Sequence, residues 1–157
     1  MNVICFHNPE EENGYLSNWY LSDFTIDGTT FSSMEQFMMF RKALYFNDQE
    51  TAKKILDTKD VAAIKALGRS VTDYNDIDWN GVRQIIVYEG LCAKFMQNEL
   101  LKAKLKATGN TLLAECAVKD CIWGIGLSMK DPLRFDQTKW KGQNLLGYAL
   151  MMVREKL

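Results

Sequence analysis

Hydrophobic and polar positions change their spacing along the chain, and these changes predict a few short strands among many helices. The apolar stretch Val3–Phe6 predicts a strand near the start of the chain. Residues 24–31 surround Asp27-Gly28, the dipeptide that a tight hairpin turn favours, so they predict a β-hairpin. A further strand is expected within residues 111–118. The pattern therefore predicts only short strands, which lie far apart in the sequence.

Helical signals cover most of the remaining chain. They predict helices at residues 34–46, 49–57, 60–67, 82–97, 98–107 and 144–154. Ser32 and Glu35 have the spacing of a capping box, which makes Ser32 the expected N-cap of the first helix. Residues 73–81 are rich in turn formers and predict a loop that contains Trp79. Because helices outnumber strands, the predicted class is α+β, mainly helical with a few short strands.

Length and composition bound the organisation of the chain. Its 157 residues are the size of one ordinary domain, and no repeat or change of composition marks a boundary, so one domain is expected over residues 1–157. The formal net charge is −1, which gives no general attraction to nucleic acid or anionic lipid. No apolar stretch approaches the roughly 20 residues of a membrane helix. Without a signal peptide, a cytoplasmic protein with no membrane partner is expected.

Cysteine and histidine usage argues against a metal site. The four cysteines include no C-x-x-C pair, and His7 is the sole histidine of the sequence. A zinc site and a disulfide framework are therefore not expected. The sequence shows no Ser–His–Asp grouping either, so His7 receives no catalytic assignment from the sequence.

Glu35 and Lys42 are the first candidates for chemistry. Glu35 is flanked by Met and Phe residues, and a carboxyl in apolar surroundings suits general acid or base catalysis. Lys42 follows seven residues later, on the same helical face and about 10 Å along the axis. Both also have an ordinary interpretation, because an acid stabilises a helix N-terminus and a lysine stem often lies along apolar surface.

Residues near the predicted loops suit a flat ligand. Trp79 and Trp123 can each stack on a base, and Gly124 allows close approach of a backbone. Asp120 follows the candidate strand at 111–118, where an acid is as often a turn former as a site residue.

Three further candidates lie in or beside helices. Arg41 is next to Lys42 but points elsewhere on the helix, where it suits a phosphate. Asn144 is an expected N-cap of the last helix that also suits an anion. Gly147 fits a close contact of that helix with its neighbour.

The motifs of the chain occur in a familiar order. They are LSNW at 16–19, SMEQF at 33–37 leading to Lys42, LGR at 67–69, DW at 78–79 before VR at 82–83, AKF at 93–95, Asp120 before Trp123-Gly124, and NLLG at 144–147 before Arg154. This ordered set resembles the YbiA-like, or NADAR, family along nearly the whole chain. Two departures are Ile125, where some relatives have an acid, and His7, where some have Tyr.

The resemblance implies a mainly helical α+β fold and N-glycosidase activity on ribosylated nitrogen compounds. No cofactor and no metal are expected. Two substrate classes are implied: ribosylamino-pyrimidine phosphates of riboflavin synthesis, and ADP-ribose on guanine, including ADP-ribosylated nucleic acid. Carried over by motif, the catalytic positions are Glu35, Lys42, Trp79 and Asp120. The implied ligand contacts or pocket walls are Ser17, Asn18, Arg69, Trp123, Gly124, Asn144 and Gly147.

Cleavage of a C–N glycosidic bond builds positive charge on the sugar and requires a proton on the departing nitrogen. The hypothesis makes Glu35 the principal acid/base and Asp120 the second acid. Lys42 either attacks C1 of the opened sugar as a Schiff base or tunes the ionisation of Glu35.

Substrate binding in this hypothesis uses stacking and charge. Trp79 and Trp123 would hold the base, and Arg41 or Arg69 would take a phosphate. The alternative is a module that binds ADP-ribose or a nucleotide without hydrolysing it. Such a module would keep these contacts but would not need the acids and Lys42 together.

Overall fold

Six α-helices, three short 3-10 helices and four short strands form the regular structure of residues 2–157, the part of the chain that this computed structural model describes. The strands are β1 (Val3–Phe6), β2 (Leu21–Ile26), β3 (Thr29–Ser33) and β4 (Leu112–Glu115). The helices are α1 (Met34–Tyr45), α2 (Gln49–Leu56), α3 (Val61–Arg69), α4 (Asp76–Met96), α5 (Glu99–Ala107) and α6 (Leu145–Lys156). The predicted α+β class, mainly helical with short strands, is confirmed.

The chain divides into two compact units. Leu21–Lys94 forms one, which we call the central unit. The chain up to Tyr20 together with Phe95–Leu157 forms the other, the terminal unit. The expectation of one domain over residues 1–157 stays a prediction.

The central unit begins with the predicted hairpin. Strands β2 and β3 pair antiparallel, and Asp27 and Gly28 turn the chain with φ of 50° and 80°. Two positive φ values in succession are what a tight hairpin turn requires, and Asp-Gly adopts them at low cost. Rings of Phe24, Phe31 and Phe37 meet at centroid distances of 5.1–5.8 Å, which packs α1 onto the hairpin.

The predicted loop at 73–81 is wrong over most of its length, because α4 already begins at Asp76. The Asn75 side chain accepts a hydrogen bond from the backbone N–H of Asp78 at 3.0 Å, as an N-cap does. Asp76 and Asp78 add negative charge to the first turn, which favours a helix N-terminus. The turn formers of this segment therefore start a helix instead of filling a loop.

The terminal unit is organised around a parallel pair of strands. Strand β1 pairs with β4 in the register Val3↔Leu112 to Phe6↔Glu115. Cys5, Ala114 and Ile125 belong to the core beside this pair. Helix α6 packs on β4. The pairing joins segments more than 100 residues apart in the chain.

Candidate active site

The start of α1 differs by one residue from the sequence prediction. Strand β3 continues through Ser33, so Ser33 is the N-cap, and its Oγ accepts from the N–H of Gln36 at 3.1 Å. The Oε1 of Gln36 accepts in return from the N–H of Ser32 at 2.7 Å. The predicted capping box of Ser32 with Glu35 is therefore wrong, because Ser33 and Gln36 form the cap.

This shift gives Glu35 a different position from the one expected. Its carboxylate lies in the first turn of α1, and the side chain is 5% exposed. The favourable field of the helix N-terminus still acts on it. Since Ser33 and Gln36 provide the cap, Glu35 is not the reciprocal capping residue. Glu35 is thus a buried acid that does not cap α1, although the sequence favoured that structural role.

Lys42 is half-buried and closely surrounded. Its Nζ donates to the carbonyl oxygen of Gly68 at 2.8 Å and lies 4.5 Å from the ring centroid of Tyr74. Burial lowers the pKa of Lys42, the charge of Glu35 raises it, and the charge of Arg69 lowers it. Glu35 and Lys42 were expected on one helical face, and in the structure they interact electrostatically. A lowered pKa increases the fraction of neutral, nucleophilic amine.

Gly68 explains how the backbone of α3 reaches Lys42. A Cβ at Gly68 would overlap the side chain of Met39, so a larger residue here would require that side chain to move. The carbonyl oxygen of Gly68 then becomes the acceptor for the lysine amine. The LGR motif thus contributes a close packing contact and, through Arg69, a charge near Lys42.

Tyr74 is a site neighbour that the sequence analysis missed. Its hydroxyl donates to Oδ1 of Asp76 at 2.7 Å, and its ring lies under the amine of Lys42. Burial and the adjacent Asp76 raise the pKa of Tyr74 to about 12, so it stays a neutral donor. The sequence offered little signal, because the turn that brings Tyr74 to Lys42 depends on Asp73 at a φ of 56°.

Trp79 lies in the first turn of α4 and is 5% exposed. Most of its indole is therefore packed within the protein. Its motif neighbour Asp78 is exposed.

The two candidate phosphate ligands differ in their partners. Arg41 donates from Nη1 to Oε2 of Glu89 at 2.9 Å and its guanidinium lies 5.5 Å from the ring centroid of Phe37. Arg69 is exposed at the end of α3 and acts on Lys42 through its charge. Arg69 is the better candidate of the two, because Arg41 would have to leave an ion pair to bind phosphate.

In the terminal unit, Asp120 organises a turn. Its Oδ1 accepts hydrogen bonds from the backbone N–H groups of Ile122 at 3.0 Å and Trp123 at 2.9 Å. Trp123 is partly buried. A Cβ at Gly124 would lie 2.9 Å from the carbonyl oxygens of Asp120 and Glu115, so this glycine is required for internal packing.

Asn144 is the N-cap residue of α6, as predicted, but its backbone is left-handed with a φ of 54° and its side chain makes no capping hydrogen bond. Its Oδ1 instead accepts from the N–H of Glu115 at 3.1 Å, and its Nδ2 donates to the carbonyl of Leu113 at 2.9 Å. The amide therefore satisfies the edge of β4 as another strand would. A Cβ at Gly147 would overlap the carbonyl oxygen of Leu113, which explains the glycine there.

Ser17 and Asn18 are both buried beside the first turn of the chain, at 4% and 7% exposed. The Oγ of Ser17 accepts from the N–H of Trp19 at 3.1 Å. The Oδ1 of Asn18 has no hydrogen-bond partner within residues 2–157. A buried acceptor without a partner costs free energy, so a ligand N–H here would be stabilising.

A second acidic side chain accompanies Asp120 in the terminal unit. The Oε1 of Glu115 lies 3.5 Å from Nδ1 of His7, and their side chains are 13% and 54% exposed. Burial raises the pKa of Glu115, and the charge of Asp120 raises it further. Neither Glu115 nor His7 was a candidate from the sequence, because nothing in their spacing shows that β1 and β4 are neighbours.

The candidate residues thus form two groups. Glu35, Lys42 and Arg69 interact electrostatically in the central unit, which also contains Arg41 and Trp79. The others belong to the terminal unit: Ser17, Asn18, Asp120, Trp123, Gly124, Asn144 and Gly147. Among residues 2–157 no group of three or more His, Cys, Asp or Glu side chains is arranged to hold a metal ion.

Comparison with known proteins decides the family. The model of the NADAR domain matches residues 5–157. The chain belongs to the NADAR domain family. It is 40% identical to an N-glycosidase of Acanthamoeba polyphaga mimivirus, over 98% of this chain and 95% of that protein. It is 34% identical to a riboflavin biosynthesis protein of Vibrio vulnificus, over 98% of this chain but 38% of the longer protein.

A solved structure agrees with this membership. The NMR structure of the Escherichia coli protein YbiA superposes with a TM-score of 0.81 and 28% identity, over 99% of this chain and 84% of that chain. The predicted N-glycosidase class, a hydrolase acting on N-glycosyl compounds, is confirmed by family and relatives. In the part of the chain that the structure describes, every helix is too short or too polar to cross a membrane.

Proposed function

We propose that this NADAR protein hydrolyses the C–N glycosidic bond of a ribosylated base or amine in the cytosol, with Glu35 as its principal acid/base. The candidate substrates are ribosylamino-pyrimidine phosphates and ADP-ribosyl-guanine, free or in nucleic acid. The observation that carries the proposal is the buried carboxylate of Glu35 beside a half-buried Lys42. An acid and an amine that interact electrostatically inside a protein suit proton transfer better than they suit stability.

Chemistry at Glu35 follows from the bond that breaks. As the C1–N bond opens, its electron pair leaves with the nitrogen, which must gain a proton, while water adds to C1 and loses one. A carboxyl group can give the first proton or accept the second. Asp120 is the proposed second acid. Trp79 and Trp123 are each proposed to stack on the base.

Lys42 has two proposed roles. As a neutral amine it would attack C1 of the opened sugar and displace the departing nitrogen, which leaves with a proton, to form a Schiff base that water then hydrolyses. As a cation it would keep Glu35 ionised through their interaction. The direct hydrogen bond to Gly68 fixes the amine for either role. Borohydride reduction during turnover separates them, because only a Schiff base gives a stable covalent adduct at Lys42.

Ligand contacts are proposed from the same geometry. Asn18 offers a buried Oδ1 that needs a donor, as an amide or amine N–H of a base would supply. Arg69 is proposed to bind a phosphate by charge-assisted hydrogen bonds. Ser17, Arg41, Gly124, Asn144 and Gly147 remain proposed as pocket residues. The riboflavin biosynthesis name of the Vibrio relative favours the pyrimidine phosphates.

The decisive experiment is to incubate the protein with each substrate class and to detect the freed base and ribose by mass spectrometry. We expect the wild type to cleave at least one class and Glu35→Gln to lose about 10²-fold or more in kcat. Glu50→Gln, an exposed acid on α2, is the matched control. Binding of ADP-ribose without release of any base would instead support the non-catalytic module, and a fully active Glu35→Gln would remove Glu35 from the mechanism.

A further inference from the structure

His7 and Glu115 form a polar pair that neither the sequence nor the proposed function has used. His7 follows β1 and Glu115 ends β4, and the parallel pairing of these strands brings the two side chains together. Nδ1 of His7 lies 3.5 Å from Oε1 of Glu115. The partners differ in exposure, since the His7 side chain is 54% exposed and the Glu115 side chain 13%.

This arrangement is the one by which a buried carboxylate orients an exposed imidazole. With Nδ1 turned to Glu115, the other ring nitrogen, Nε2, is the one left to exchange a proton with a bound molecule. The carboxylate fixes the tautomer and stabilises the imidazolium that forms. Glu115 is itself held in place, because its backbone N–H donates to Asn144 at 3.1 Å and its carbonyl accepts from Ile125 at 2.8 Å.

The charges around the pair favour the protonated form of His7. Glu115 raises the pKa of His7, to which Glu11 adds, while burial opposes it. Burial raises the pKa of Glu115 and Asp120 adds to this, whereas His7 lowers it. Oε2 of Glu115 is buried and has no hydrogen-bond partner within residues 2–157, so no other bond in that region competes for its charge.

Asp120, the proposed second acid, is already engaged in a turn. Its Oδ1 accepts hydrogen bonds from the backbone N–H groups of Ile122 and Trp123. We propose that His7, positioned by Glu115, is the general acid that protonates the departing nitrogen, and that Asp120 acts as a fixed negative charge beside the pair. This inference rests on the proposed N-glycosidase function.

The proton balance is simple. The C1–N bond breaks, its electrons go to nitrogen, and nitrogen takes the proton from Nε2 of His7. Water forms the new C1–O bond, and the proton it loses returns the enzyme to its starting protonation state. No oxidant, metal or further reactant is required.

The sole histidine makes the test direct, because one imidazole signal in the NMR spectrum reports on His7 alone. In Glu115→Gln we expect the titration midpoint of that signal to move to lower pH, since the carboxylate that raises the pKa of His7 is gone. An unchanged midpoint overturns the pair. The NMR titration does not require catalytic activity, so it gives a result even if the proposed function is wrong.

The catalytic arm compares kcat across pH on the substrate that the wild type cleaves. We expect His7→Gln to lose about 10²-fold in kcat with KM nearly unchanged. Because the acid must be protonated, activity should fall as pH rises through the His7 midpoint. In Glu115→Gln this alkaline limb should move to lower pH together with the NMR midpoint.

Glu12→Gln, an exposed acid in the loop after β1, is the control that should change neither limb nor rate. The catalytic role is overturned if kcat of His7→Gln is within a few-fold of the wild type. It is also overturned if the alkaline limb of kcat does not move in Glu115→Gln. If Glu115→Gln is too unstable to assay, His7→Gln alone decides it. A wild type that cleaves neither substrate class overturns both the proposed function and the role of His7 in it.

Discussion

The central and terminal units hold their candidate residues in different ways. In the central unit, Glu35 and Lys42 are seven residues apart on one helix, and Gly68 and Tyr74 approach from the helices and turn that follow. In the terminal unit, His7 meets Glu115, and Leu113 meets Asn144, across 108 and 31 residues of sequence. One site is built from local helical spacing, whereas the other depends on strand pairing between distant segments.

This difference bears on chemistry as well as on folding. The side chains of Asp120 and Asn144 and the small size of Gly124 and Gly147 are used by the backbone of the terminal unit itself. In the central unit the cap of α1 uses Ser33 and Gln36, so the charged pair of Glu35 and Lys42 does not carry it. Several motif residues of the terminal unit are thus required for the fold, whereas the cap of α1 in the central unit does not depend on Glu35.

The largest expected effect is in the central unit. Lys42→Gln removes the amine but leaves an amide able to donate to Gly68, so we expect stability to change little and kcat to fall about 10²-fold or more if Lys42 is the nucleophile. Release of base in steady state measures it, with Lys53→Gln, an exposed lysine of α2, as control. A loss of only a few-fold, without any borohydride adduct in the wild type, would leave Lys42 as a tuning residue.

The next largest effect tests whether a motif glycine of the terminal unit is required for stability. Gly147→Ala places a methyl group against the carbonyl of Leu113, so we expect a loss of roughly 1–3 kcal/mol in the free energy of unfolding. Gly81→Ala is the matched change in the central unit, where a Cβ meets nothing within 4 Å, and it should stabilise the exposed helix by about 0.5–1 kcal/mol. Denaturant unfolding measures both. Equal effects of the two changes would break the comparison.

A smaller effect concerns pH. The charge of Arg69 lowers the pKa of Lys42, so Arg69→Gln should raise it. If a neutral amine is the reactive form, the acid limb of kcat/KM should move to higher pH in this variant. Lys59→Gln, another exposed cation of the central unit, should leave the limb in place. If the acid limb stays in place in Arg69→Gln, the ionisation of Lys42 does not control kcat/KM.

The smallest effect is on acid stability. Asp48 accepts hydrogen bonds from Thr51 and from the N–H of Thr72, which lower its pKa to about 2. A folded pKa below the unfolded one gives stability that is present above about pH 4 and lost as pH falls towards 2. Asp48→Asn should therefore lower the thermal midpoint at pH 7, with the gap to wild type closing below pH 4. A gap that stays constant down to pH 2 would rule out this linkage.

Much of the fold could be predicted because its signals are local. The turn at Asp27-Gly28, the strand Val3–Phe6 and the helical spacing of Glu35 and Lys42 each depend on neighbours in sequence. The errors at Ser32 and at residues 73–81 have a local cause too. Ser and Asn suit both turns and helix N-caps, and the exact start was set by where β3 ends and by Asn75.

The sequence by itself determined the family, the α+β class and the shared helical face of Glu35 and Lys42, since helix periodicity and ordered motifs are properties of the chain alone. Only the tertiary structure decided which polar residues serve the fold. It assigned the cap to Ser33 and Gln36, tied Asn144 to β4, and brought His7 to Glu115. The physical reason is that hydrogen bonds and burial depend on distance in space, which the order of residues does not specify beyond a few helical turns.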